Sequence, residues 1–128
     1  MKPEEYLNTI KYRLTQDKTV SNYQFIREQF TARNAQFRVR VSLSDNSRLE
    51  FSEFVRLNSQ NELEIIAYSY HWMDSDNQLR VRWDNAEHYP DLPNFPHHLH
   101  DGDEKNVVPG EPMNISRVLD LIAERLEK

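Results

Sequence analysis

The stretch NFPHHLHDGDE, residues 94–104, sets three of the chain's five histidines within four positions, with two aspartates and a glutamate close behind. His97, His98 and His100, with His88 upstream, crowd imidazoles into a segment stiffened by prolines. An imidazole titrates near roughly pH 6.5, so it both takes and gives protons around neutrality. Three chemistries fit such a cluster. The first is acid–base catalysis without metal. Cleaving RNA needs a base for the 2′-hydroxyl proton, an acid for the leaving oxygen and a cation for the phosphorane charge. Two of these histidines plus Arg82 would supply all three. The second is a metal site. His98 and His100, spaced by one residue, reach a single ion from extended backbone, with His88, Asp84 or Asp101 completing it and His97 pointing away. The third is structural, with imidazoles bonding backbone carbonyls to order a long loop. Composition leaves all three open. His71 stands apart from the cluster; alternation puts it mid-strand on an apolar face, where a hydrogen-bonded core histidine is the ordinary outcome.

Hydrophobic periodicity identifies the elements that must carry these residues. KPEEYLNTIKYRL reads as a helix, with Pro3 in the first turn, Glu4 and Glu5 at the positive end, and Tyr6, Leu7, Ile10 and Leu14 in one stripe. VSNYQFIREQF reads as a strand from its aromatic and β-branched content. QFRVRVSL alternates Phe37, Val39, Val41 and Leu43 against Arg38, Arg40 and Ser42. RLEFSEFVRL puts Leu49, Phe51, Val55 and Leu57 on one face, with Glu53 the exception. LEIIAYSYHWM splits into Leu63, Ile65, Ala67, Ser69 and His71 against Ile66, Tyr68, Tyr70 and Trp72. QLRVRWD sets Leu79, Val81 and Trp83 against Arg80, Arg82 and Asp84. Short loops, SDNS, NSQNE and DSDN, join these runs into antiparallel hairpins. From Asn85 to Met113 the pattern stops, and five of the six prolines lie there. NISRVLDLIAERLEK then reads as a helix capped by Asn114, with Ile115, Val118, Leu119, Ile122 and Leu126 as its stripe. The expected fold is α+β: one antiparallel meander sheet of four to five strands, N- and C-terminal helices on one face, and a long Pro/His-rich loop, all in a single domain over residues 1–128.

With both helices on one face, the other face would display Arg38, Arg40, Arg48, Arg80 and Arg82 interleaved with Tyr68, Tyr70 and Trp72. Guanidinium groups grip phosphate and aromatic rings stack on unpaired bases, so this is one way to hold single-stranded RNA. The plainer reading carries more weight on pattern alone: the rings cover strand neighbours and the arginines pair with Glu50, Glu64 and Asp84.

Composition bounds the rest. Apolar residues are 38%, charged residues 29% and aromatic residues 11%, which argues for a folded, polar-surfaced protein. No cysteine means no disulfide, thiolate ligand or thiol nucleophile. No apolar run approaches the ~20 residues of a membrane span, and the acidic N-terminus is unlike a signal peptide, so the expected location is the cytoplasm. The net charge of −5 divides into +3 over residues 1–57 and −8 over residues 58–128, which allows a basic surface on the N-terminal half. Two glycines leave no phosphate-cradling loop, and no cofactor is expected.

The blocks YSYHW, VRWDNAEHYPDLPNFPHHLHDG and NVVPGEP, with LSDNSRLEFSEFV before them, resemble the TumE family of small prokaryotic toxins. The resemblance runs from about Leu43 onward and is most specific in RWDNAEH and FPHHLH. The family's first block reads like Arg-Tyr-Asp-Asn-Ala-Pro-His-His. Here Trp83, Glu87 and Tyr89 replace its tyrosine, its proline and its second histidine, while Arg82, Asp84, Asn85 and His88 stay in place. The second block, Phe95, Pro96, His97, His98 and His100, matches well. The resemblance implies a toxin that acts on RNA or translation, encoded beside a helix-turn-helix antitoxin of the TumA type. It suggests Arg82 as the phosphate holder, His97, His98 or His100 as acid and base, and His71 and His88 in support. Asp84 would orient an imidazole or an arginine, and Asn85 the loop backbone. A basic antitoxin surface could meet Asp101, Asp103 and Glu104. The non-enzymatic alternative is a module that binds RNA or that antitoxin without cutting, and a homo-oligomer is possible on either view.

Overall fold

The three hairpin loops share one local solution. Asn46, Asn61 and Asn77 adopt positive φ of 68°, 60° and 64°, which asparagine tolerates better than most residues. Each donates its N–H three residues back, to the carbonyls of Leu43, Asn58 and Asp74. Asp45, Asn58 and Asp74 also accept backbone N–H groups from within their own turns, the side-chain mimicry that fixes such corners. In the computed structural model, which describes residues 1–127, these corners join long strands into one meander. The order is α1 (Pro3–Gln16), β1 (Val20–Phe30), β2 (Asn34–Leu43), β3 (Arg48–Leu57), β4 (Leu63–Met73), β5 (Leu79–Asp84), β6 (His98–Asp101), β7 (Val107–Pro109) and α2 (Ile115–Leu126).

The sheet is antiparallel throughout and follows chain order from β1 to β7. It has seven strands rather than the expected four to five. The additional pair, β6 and β7, falls inside the segment expected to be irregular. At four and three residues these strands are too short to show alternation, and Pro109 ends β7 at a sheet edge, where a missing N–H costs no ladder bond. Both helices cover one face, as the apolar stripes require. Leu7, Ile10 and Leu14 of α1 and Ile115, Val118, Leu119 and Ile122 of α2 are buried against Phe37, Val39, Phe51, Tyr70 and Val81. Asn114 caps α2 by accepting the Arg117 N–H at 2.9 Å. Among the described residues no helix is long and apolar enough to cross a membrane.

One face assignment read from the sequence is reversed. Tyr68, Tyr70 and Trp72 lie in the core at 6%, 0% and 2% exposure, and Ala67, Ser69 and His71 face outward. A bulge between β3 and β4 causes the reversal. Val55 pairs with Ile65 and Phe54 with Ala67, which leaves Ile66 as the extra residue. A slip of one residue exchanges the faces of everything that follows. The three rings therefore pack beneath α1 and α2 and do not form a stacking surface for bases.

Glu53, the exception in the β3 pattern, is 2% exposed within this core. The Tyr6 and Tyr70 hydroxyls donate to its two oxygens at 2.5 and 2.7 Å. Burial raises the Glu53 carboxyl above its ordinary value of 4.5, opposed by the two tyrosine bonds. The folded state therefore keeps this proton to higher pH than the unfolded chain does. Stability is lost as pH rises from about 4.5 through the raised folded value. Urea unfolding over a pH series should show that descending limb, and Glu53→Gln should flatten it. Glu53→Ala, which strands the buried Tyr70 hydroxyl and the half-buried Tyr6 hydroxyl, should cost about 2–5 kcal/mol in the same assay.

Candidate functional site

The pleat and the register carry polar residues from five strands into rows across the open face. One row runs Arg40, Glu50, His71, Arg82, His100; the next runs Arg38, Ser52, Ser69, Asp84, His98. Neighbours along a row are one strand spacing apart, about 5 Å. The β6 strand is decisive: its pairing with β5 sets His98 opposite Asp84 and His100 opposite Arg82. The segment after β5 folds back over this face, and the groove between them has a volume of about 700 Å³.

At the groove wall, His98 Nε2 lies 2.9 Å from Asp84 Oδ1 and His100 Nε2 lies 3.6 Å from Asp84 Oδ2. Arg82 joins them, with Nη2 3.0 Å from His100 Nε2 and Nε donating to Asp84 Oδ2 at 3.3 Å. His98 and His100 are each 3% exposed and Asp84 is 8% exposed. Backbone carbonyls set both rings: His98 Nδ1 is 2.9 Å from the Pro96 oxygen, and His100 Nδ1 is 2.8 Å from the Glu104 oxygen. Both nitrogens of His98 face acceptors, so both contacts are hydrogen bonds only when both nitrogens carry protons. His100 gives one bond and receives one from a guanidinium, which the neutral Nδ1–H tautomer satisfies. Glu104 Oε1 closes on Arg82 Nη1 at 2.6 Å from the solvent side.

The ring of Tyr89 packs across both imidazoles, with centroids 4.9 Å from His98 and 6.2 Å from His100. Tyr89 was not singled out as functional from the sequence; its one signal is that it stands where the family block has a second histidine. His88 is exposed at the groove mouth, its ring 6.3 Å from Tyr89, and lies outside the bonded cluster. His71 occupies the row position beside Arg82, on the open face rather than the apolar one. Burial, then the charge of Arg82, lowers its pKa.

Other candidates lie elsewhere. His97 alternates to the opposite side from His98, where Nδ1 meets the Tyr68 hydroxyl at 2.8 Å and the two rings stack. Burial pushes that hydroxyl up to about 12. Arg80 is the extra residue where β5 slips against β4; its guanidinium pairs with Asp45 at 2.8 Å and lies 5.0 Å from the Trp72 ring. It is thereby withdrawn from Arg38, Arg40 and Arg82. Arg38 and Arg40 do face the open side, where both approach Glu50, at 3.0 and 3.7 Å. Arg27, passed over in the sequence, sits directly opposite Arg38 and lines the groove.

Asp84, His98 and His100 could also hold a cation, since each offers a ligand atom within 4.8 Å of the others. Nδ1–H bonds to carbonyls are the usual support for imidazoles that ligate through Nε2. Against this donor set, the Arg82 guanidinium already contacts both His100 and Asp84 and supplies a positive charge at that point.

A family model described as Toxin TumE matches residues 7–127 of the chain. No curated protein and no solved structure matches it significantly.

Asn85 holds the site in register. Its Oδ1 accepts the Tyr68 N–H and its Nδ2 donates to the Ile66 carbonyl, both at 3.0 Å, so the side chain satisfies β4 where β5 has ended, next to the bulge. Asn85→Ala should lower unfolding stability by about 1–3 kcal/mol, because it leaves two backbone groups unpaired. Asn85→Asp retains one acceptor and should lose less; denaturant titration of the two variants measures the difference.

Proposed function

The chain belongs to the TumE toxin family, which makes it the toxin of a toxin–antitoxin system, and we propose that it arrests growth by cleaving RNA without a metal. The supporting observation is the cluster of Asp84, His98, His100 and Arg82, whose imidazoles are oriented by backbone carbonyls at the wall of a groove open to solvent. In this reading His100 Nε2 takes the 2′-hydroxyl proton, and the 2′-oxygen attacks phosphorus. The bond from phosphorus to the 5′-oxygen breaks, and that oxygen takes the Nε2 proton of His98. Asp84 holds His98 in its donating form. Arg82 neutralises the phosphorane, with the phosphate displacing the exposed Glu104 carboxylate. His71 and His88 border this path, and His97 does not take part.

A cognate helix-turn-helix antitoxin is the proposed partner. It would present basic groups to Asp101, Asp103 and Glu104 beside the groove and so cover Arg82. The second reading is a metal-dependent hydrolase, favoured by the spacing of the same Asp84, His98 and His100 donors.

The experiment is expression of the chain and its variants, following growth and RNA integrity, with cleavage by purified protein measured in parallel. His98→Ala, His100→Ala and Arg82→Ala should each reduce cleavage by roughly 10²–10⁴-fold, and His97→Ala should stay close to the parent. Growth arrest with intact RNA would remove the nuclease reading. Cleavage abolished by chelator and restored by a divalent ion would transfer the cluster to the second reading.

A further inference from the structure

The far end of the groove carries a charge arrangement that the cleavage cluster does not use. Arg27 on β1 and Arg38 on β2 are direct cross-strand partners. Like charges placed opposite one another destabilise a strand pair, so their retention needs an offsetting partner. Glu50 is the carboxylate at hand, and Arg38 and Arg40 share it at 3.0 and 3.7 Å. Among the described residues Arg27 has no ion-pair partner. Two of the three guanidinium groups at this end thus share one carboxylate, and Arg27 adds a further positive charge beside them. Glu53 also borders this end, but its carboxyl is turned into the core and held by the Tyr6 and Tyr70 hydroxyls. Asp84, His98 and His100 are bonded to one another, and Glu87 and His88 are on the segment covering the opposite wall. Between the two ends the floor is neutral and partly apolar, with Ser52, Ser69, Phe54, Ile66 and Ala67.

We propose that Arg27 and Arg38 form a second phosphate subsite, so that the groove takes a single-stranded polynucleotide rather than a mononucleotide or a free phosphate. The proposal rests on the RNA reading above and deepens it. Arg38 shares a row with Asp84 and lies three strands away, roughly 14 Å at strand spacings of about 4.8 Å. That span places the subsite beyond the scissile nucleotide, over a floor wide enough for unpaired sugar and base. Paired guanidinium forks are suited to the two free oxygens of a phosphodiester. A duplex would present its phosphates on a rigid helical surface, whereas this groove runs across a sheet beneath a covering segment.

The test is equilibrium binding of an uncleavable 2′-deoxy oligonucleotide of about eight residues, and of the corresponding dinucleotide, over a range of salt concentrations. Arg27→Ala and Arg38→Ala should each weaken oligonucleotide binding about 5- to 10-fold and reduce the salt slope by about one. Dinucleotide binding should be unaffected. Arg117→Ala, an equal charge change on the helical side, controls for net charge. An unchanged oligonucleotide slope, or an equal loss for the dinucleotide, would overturn the subsite. A larger loss for a polyglutamate peptide than for the oligonucleotide would also overturn it, in favour of an acidic protein partner. The assay reads binding alone, so absence of cleavage in the parent protein would sink the nuclease reading and leave this measurement interpretable.

Discussion

A single extra residue in β4 decides which side chains this protein can use. With Ile66 bulged, the second half of the strand turns over, so that Tyr68, Tyr70 and Trp72 enter the core, Ser69 lines the groove and His71 faces the open side. A bulge leaves backbone groups without ladder partners, and buried orphans are costly. Asn85 removes part of that cost by bonding to Ile66 and Tyr68 from just beyond the end of β5. Because Asn85 follows Asp84 directly, the clamp on the bulge also fixes where the carboxylate of the cluster sits. The core aromatics, the outward His71 and the position of Asp84 therefore depend on one local arrangement.

The cluster itself is a product of strand order. His98 and His100 differ by two residues, the pleat repeat, and so share a face; Arg82 and Asp84 do the same one strand over. Two pairs separated in sequence by a proline-rich segment meet because β6 lies against β5. The same alternation sends His97 to the other side, where it is held by Tyr68. Charge is handled locally: each imidazole is anchored through Nδ1 to a carbonyl, and Arg82 sits between Asp84, Glu104 and His100. A buried cluster balanced in this way has little freedom to rearrange and holds its side chains in one fixed geometry.

Much of the frame was legible in the sequence. Phe37, Val39, Val41 and Leu43 alternate without interruption, the asparagine turns are local chemistry, and the α2 stripe is complete, so periodicity alone located these elements. The face of β4 was not legible, because Ile65, Ile66 and Ala67 form an apolar run in which a bulge leaves no mark. The β6 and β7 strands were missed because three- and four-residue strands are defined by their partners rather than by their own pattern. Of the candidate residues, Arg82, Asp84, His98 and His100 come together, and His97, Arg80 and the three core aromatics lie apart from them. Tyr89 and Arg27 acquire meaning only in three dimensions, one from packing over both imidazoles and the other from facing a second arginine. Pairing of β6 with β5 decides which rings of the histidine-rich motif face the groove: His98 and His100 do, and His97 does not.

The central claim is that this cluster breaks a phosphodiester bond by proton transfer, with the neighbouring 2′-hydroxyl as nucleophile. Analysis of the ends left on a defined RNA by the purified toxin tests that claim most directly. The account predicts 2′,3′-cyclic phosphate and 5′-hydroxyl ends, and no cut where a 2′-deoxy nucleotide replaces the attacking ribose. Cleavage that leaves 3′-hydroxyl and 5′-phosphate ends, or that proceeds at the 2′-deoxy position, would contradict it.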